Sequence, residues 1–155
     1  MPEGTVVLIY ISPARGEPTV GVDQVHVIPG KGIQGDRYFS EQGKDGEGYR
    51  PDRQLTLIES EAIDAIRQED SIPIFPADTR RNIITRGIRL NDLVGCDFFI
   101  GKIRVHGIRL CEPCNYLASR THPQIITSMA DRGGLRAEIL SDGTISINDI
   151  ITIAD

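Results

Sequence analysis

Phe98-Phe99-Ile100-Gly101-Lys102-Ile103-Arg104-Val105-His106-Gly107-Ile108-Arg109-Leu110 is the stretch whose reading decides the fold class. Residues 98–100 and 103–110 carry a β pattern, and Gly101-Lys102 supplies a two-residue turn, so the stretch reads as two paired strands. Val105 and His106 alternate as a strand with one core-facing side requires. The run ends on a thiol pair, Cys111-Glu112-Pro113-Cys114.

Working outward, residues 5–11 and 20–28 read as strands. The second alternates at Val20, Val22, Val25 and Val27 and slips at Asp23-Gln24, which predicts a bulge. Residues 29–53 are rich in Gly and charge, lack periodicity and read as a long loop, functional or mobile. Residues 54–57 form a short strand running into a helix. Thr56 with Glu59 fits a capping box, and Ile58, Ala62, Ile63 and Ile66 share a helical face. Pro73 and Pro76 stop that helix. Residues 82–85 are a further short apolar run. Past the cysteines, Thr121 and Gln124 fit a second capping box for a helix with Ile125, Ile126 and Met129, ended by Gly133 or Gly134. Residues 135–140 and 144–147 predict a hairpin around Asp142-Gly143, and residues 150–153 a last strand. With no repeated strand–helix–strand rhythm, the expectation is a mostly β, barrel-like single domain over residues 1–155, with two or three short peripheral helices.

Composition agrees. The chain of 155 residues is long enough for its own core, and without Trp that core is aliphatic. The N-terminus shows no basic region followed by an apolar run, and no stretch approaches membrane-spanning length, so the expected setting is cytoplasmic. Three cysteines in such a setting point to reduced thiols. Residues 80–136 hold ten Lys or Arg and four Asp or Glu, a charge of +6, while the whole chain carries −5, so the remainder carries −11. Overall acidity and sparse aromatics argue against a nucleic-acid surface. The basic segment reads either as a solvated face or as a cradle for anions, since arginines supply forked donors for phosphate.

Gly30-Lys31-Gly32-Ile33-Gln34-Gly35 matches a dinucleotide fingerprint, but no apolar helical face follows, so a flexible loop is the better reading. Gly35-Asp36-Arg37 reads as a site rim or as a turn with an exposed local ion pair. For Cys111 and Cys114, a thioredoxin-like dithiol lacks its helix and parallel sheet. A zinc set of His106, Cys111, Cys114 and His122 has none of the usual spacings. There remain a nucleophile or soft-metal ligand, its thiolate stabilised by Arg104, Arg109 and Arg120, and a pair of buried core cysteines. Cys96 reads as core, the histidines as structural, and Glu59, Glu61, Asp64, Glu69 and Asp70 as the solvated face of the first helix.

The stretches Thr79-Arg80-Arg81-Asn82-Ile83-Ile84-Thr85-Arg86-Gly87, Leu90-Asn91-Asp92-Leu93-Val94-Gly95 and Leu110-Cys111-Glu112-Pro113-Cys114-Asn115-Tyr116-Leu117, in this order, resemble the MOSC domain, named for the C-terminal domain of molybdenum cofactor sulfurases. Gly35-Asp36-Arg37-Tyr38, Gln54-Leu55-Thr56-Leu57-Ile58-Glu59 and Arg132-Gly133-Gly134-Leu135-Arg136-Ala137 fit its small stand-alone members. The resemblance, over roughly residues 5–153, implies a β-rich barrel-like fold and a cysteine, placed at Cys114, that carries sulfur or ligates molybdenum. The molybdenum cofactor is an anionic pterin with a phosphate, and Arg81, Asn82, Arg136 and Arg37 are the candidate donors for it.

The implied chemistry is sulfur transfer or two-electron reduction of N-hydroxylated substrates. An electron-donating protein or an external sulfur donor would have to assist, since the pyridoxal-phosphate-dependent domain of the multidomain sulfurases is not in this sequence. The alternatives are a non-enzymatic module that binds the cofactor or another anionic ligand, and a small zinc-stabilised domain.

Overall fold

The computed structural model describes residues 3–14, 16–41, 50–113, 117–118 and 121–154. Strand β1 (Glu3–Ile11) is followed by β2 (Val20–Val22), β3 (Gln24–Ile28) and β4 (Gly32–Ile33). Helix α1 (Arg37–Glu41) precedes β5 (Leu55–Glu59), α2 (Ser60–Glu69) and β6 (Ile83–Arg86). The chain continues through β7 (Asp97–Ile100), β8 (Ile103–Leu110), α3 (Ile125–Ser128), β9 (Leu135–Ile139), β10 (Gly143–Ser146) and β11 (Ile150–Ile153).

Seven strands in the order β11-β7-β8-β9-β5-β6-β1 close into a barrel, because β1 also pairs with β11 through Thr5 and Ile150. Closure removes the unpaired edges that an open sheet of this size would leave. Within the barrel only β5 and β6 run parallel, and α2 makes that crossover on the outside. The mostly β expectation with peripheral helices therefore holds.

Period-two alternation divides the apolar residues between two cores. Leu55, Leu57, Ile83, Phe98, Val105, Leu135, Ala137 and Ile139 point inward and are fully or almost fully buried. The small sheet β10-β3-β4 adds Val25, Val27, Ile33 and Ile145 to this interior. On the outer face, Ile58 and Ile84 pack with Ile63 and Ile66 of α2 and with Leu117, Ile125 and Met129. α2 is thus held by one apolar stripe, its other face turned outward.

The β7–β8 hairpin forms as read, Ile100 facing Ile103 across Gly101-Lys102. Residues 20–28 are two strands rather than one bulged strand. The break at Asp23 sends β2 to β1 and β3 to β10, so the slip in alternation marks a change of sheet. The fingerprint stretch is a β3–β4 hairpin, Val27 pairing with Ile33, and no long helix opens there.

Neither capping box forms. Thr56 lies inside β5, where its hydroxyl bonds Asn82 Oδ1 at 3.0 Å, and α2 starts after Glu59 without a side-chain cap. Gln124 caps no amide of α3 with its side chain, and α3 ends at Ser128, well before the glycines. Residues 135–140 and 144–147 do not pair either. β9 is already bonded on both edges, by β8 and β5, so β10 crosses to β3 instead. Among the described residues no helix is long and apolar enough to cross a membrane.

Candidate functional site

A cleft of about 380 Å³ opens on the outer barrel surface, in the size range of small-molecule sites. Arg37, Arg53, Arg80, Arg81 and Arg136 line it with Tyr38, Thr56, Cys111, Leu117 and a single acid, Glu112. Five guanidinium groups against one carboxylate make it a strongly cationic hollow on an acidic chain.

The first wall comes from the segment that leads into α1. The buried carboxylate of Asp36 accepts the Ser12 amide at 2.9 Å, and the Ser12 carbonyl accepts the Arg37 amide at 2.8 Å, which ties the start of α1 to the end of β1. The Arg37 guanidinium sits over the Tyr38 ring, 4.3 Å from its centroid, with that of Arg53 over it at 5.7 Å. The ion pair of Arg37 with Asp36, at 3.5 Å, is largely shielded rather than exposed. Arg80, in a left-handed conformation after the short 3₁₀ turn Pro76–Thr79, donates to the Glu17 carbonyl at 2.9 Å.

The opposite wall is the outward face of β5 and β9. Thr56 and Arg136 face one another across the two strands. One terminal nitrogen of Arg136 donates to the Asp52 carbonyl at 3.1 Å. Its Nε is buried and, among the described residues, has no acceptor. Arg109 is the neighbour of Arg136 on β8, a like-charge pairing relieved by Asp52, whose carboxylate takes Arg109 at 2.9 Å. Burial pushes the Asp52 carboxyl up, but the hydrogen bond and charge of Arg109, with Arg136 behind, outweigh it and hold the group below its ordinary range.

The sulfur end is Cys111. It is 1% exposed, and its amide donates to the Gly134 carbonyl at 2.8 Å. Arg81 donates to the Cys111, Gly133 and Thr79 carbonyls. Cys114, Asn115, Tyr116 and Arg120 lie outside the described residues.

Of the four candidate donors, Arg37, Arg81 and Arg136 therefore meet in one cleft. Asn82 does not line it. Its Oδ1 accepts the Thr56 amide and hydroxyl, and its Nδ2 donates to the Tyr10 carbonyl at 3.1 Å, joining β1 to β5. Of the arginines expected to flank the thiols, Arg104 pairs with Asp97 at 2.7 Å and Arg109 with Asp52 at 2.9 Å, and neither lines the cleft. Tyr38, Arg53 and Arg80 join the cleft beyond the four candidate donors. Arg53 comes from a stretch without periodicity, and its one sequence signal is an arginine beside the start of a short strand.

Cys96 is half-buried, its thiol donating to the Asp92 and Val94 carbonyls, so it is not a core residue. His106 lies five positions before Cys111, about 15 Å along an extended chain, far beyond the span of one tetrahedral ion. Its Nδ1 is bonded to Asp97 at 2.7 Å, and no group of three His, Cys, Asp or Glu among the described residues could hold a metal. The acids at and around α2 are partly engaged. Glu59 ends β5 and accepts the Leu90 amide at 3.1 Å, while Glu69 and Asp70 meet Arg132.

A family model described as the MOSC domain matches residues 40–152. The YuaD protein from Bacillus subtilis has a similar crystal structure, with a TM-score of 0.83 and 18% identity over 97% of this chain and 95% of that one. YiiM from Geobacillus stearothermophilus is similar at a TM-score of 0.76 and 16% identity, over 98% of this chain and 75% of that one. YiiM from Escherichia coli follows at 0.67 and 18%, over 97% and 70%. At such identities these likenesses concern the fold. Among curated proteins no sequence matches significantly.

Proposed function

The chain belongs to the MOSC domain family, which is associated with the molybdenum cofactor, and from that premise we propose that the arginine-lined cleft holds this anionic pterin. The observation that carries the reading is the buried Nε of Arg136. A buried donor left without an acceptor costs about 1–3 kcal/mol, a cost that a phosphate oxygen at that point would remove. Arg37 and Tyr38 offer a flat face along which a planar heterocycle can lie. Arg53 and Arg80 add positive potential, and the shape and charge of the lining residues suit a ligand of this class.

Cys114, three positions beyond the cleft residue Cys111, is the thiol proposed to carry sulfur or to ligate molybdenum. Such a role needs a thiolate, which surrounding guanidinium charge favours. When bound, the cofactor would supply a soft metal centre suited to terminal sulfur or to two-electron exchange. The chain's own residues would anchor the phosphate, align the ring and present the sulfur. A sulfur-donating or electron-donating protein is the partner that this chemistry requires.

The test is anaerobic purification from a cofactor-producing host, with molybdenum analysis, oxidised-pterin fluorescence and intact mass for wild type and Cys114→Ser. Ligation predicts that the variant loses molybdenum. Sulfur carriage predicts that wild type carries one additional sulfur atom, absent from the variant. Equal molybdenum and pterin in both proteins, with no additional sulfur in wild type, would refute both roles. Turnover of an N-hydroxylated base with a supplied reductant separates an enzyme from a binding module.

A further inference from the structure

Arg81 is 8% exposed, and its guanidinium is engaged by backbone. Nε donates to the Gly133 carbonyl at 2.9 Å, one terminal nitrogen to the Thr79 carbonyl at 3.1 Å and the other to the Cys111 carbonyl at 3.3 Å. These acceptors belong to three separate pieces of chain: the 3₁₀ turn before β6, the end of β8 and the turn into β9. The Cys111 peptide is gripped from its other side as well, since its amide donates to the Gly134 carbonyl. Gly133 permits this closeness, because a β-carbon there would press on the Cys111 carbonyl oxygen. A planar fork with donors in fixed directions can bridge three carbonyls in this way, whereas a single ammonium cannot hold all three with the same geometry.

We propose that Arg81 is a positioning residue for the thiol segment: its three-carbonyl clamp fixes where the chain leaves β8 on the way from Cys111 to Cys114. Its importance for the cofactor rests on the cleft reading above, but the clamp itself is testable without any cofactor. Arg81 then acts on a ligand through the Cys111 backbone, in contrast to Arg136, whose Nε has no acceptor among the described residues.

The experiment measures alkylation of Cys111 by N-ethylmaleimide in the native, cofactor-free chain, with half-buried Cys96 as internal reference, alongside amide exchange at Cys111 and at Val105 in the barrel wall. Arg81→Lys keeps the charge and loses the fork. It is expected to raise the Cys111 alkylation rate, relative to Cys96, at least about tenfold, the factor for losing one ordinary to strong hydrogen bond. Exchange at the Cys111 amide should rise similarly while Val105 stays protected. Gly133→Ala reaches the same carbonyl from the other side with Arg81 intact, and the same deprotection is expected. Unchanged Cys111 in Arg81→Lys would overturn the proposal, and so would a rise matched at Val105, which reports only a global loss of stability. Loss of pterin from any variant leaves these readouts unaffected, so failure of the cofactor reading and failure of the clamp are separable.

Discussion

The two faces of β5 and β9 differ by one residue of register and by everything else. Inward, Leu55, Leu57, Leu135 and Ala137 are fully buried in an aliphatic interior. Outward, Thr56 and Arg136 form a polar wall of the cleft, and the Arg136 Nε has no acceptor among the described residues. The interior is satisfied by packing alone. The exterior carries a buried N–H that finds no acceptor among the described residues, and a stable fold keeps such a site only on a scaffold paid for elsewhere.

The comparison breaks most visibly on the inner face. Leu57→Ala should cost about 2–5 kcal/mol, because the closed barrel cannot collapse onto the lost volume. Thermal unfolding should shift down by about 5–15 °C for a chain of this length. A shift within about 2 °C would mean that the interior is loosely packed.

A smaller effect sits at the cleft margin. Asp52 is held below its ordinary value of 3.8, so its contribution is complete above that value and is lost as pH falls through the depressed one. Asp52→Asn should therefore be less stable than wild type at neutral pH, by less than about 1 kcal/mol given partial exposure. Urea unfolding should find this gap closing as pH falls below 3.8. A gap that persists in acid would show that the Asp52 carboxylate is not its source.

The smallest effect is expected at Glu59, away from the cleft. Burial, the largest influence, pushes its carboxyl above the ordinary value of 4.5 even though the Leu90 amide hydrogen-bonds to it. A raised carboxyl costs stability as pH rises through 4.5 toward its folded value, and the cost is complete above that. Glu59→Gln retains an acceptor for Leu90 and should be level with or a few tenths of a kcal/mol above wild type at pH 7, losing that advantage near pH 4. A clear loss at pH 7 would point to an additional partner for the charge.

How much of this was legible follows the same division. The inward alternation of β8 and the apolar residues of α2 could be read because packing repeats with the period of the element. Thr56 was misread as a cap because a hydroxyl near a helix start is ambiguous until its strand partner, Asn82, is known. The 135–147 hairpin failed because short-range turn chemistry does not reveal that β9 is already bonded on both edges. The site was half legible. Arg37, Arg81 and Arg136 are candidates through the family resemblance and the anionic cofactor it implies, but Arg53, Arg80 and Tyr38 reach the cleft from segments without periodicity. Charge counted along the chain also misled: Arg104 and Arg109 belong to the basic stretch and are neutralised by Asp97 and Asp52.

Arg136 tests the central claim most directly. Wild type, Arg136→Met and the control Arg104→Met, each purified anaerobically from a cofactor-producing host, can be compared for bound pterin by fluorescence after oxidation. The prediction is pterin in wild type and in the control, and at least about tenfold less in Arg136→Met, the loss expected for one charge-assisted hydrogen bond. Equal pterin in wild type and Arg136→Met, or none in wild type, would contradict it.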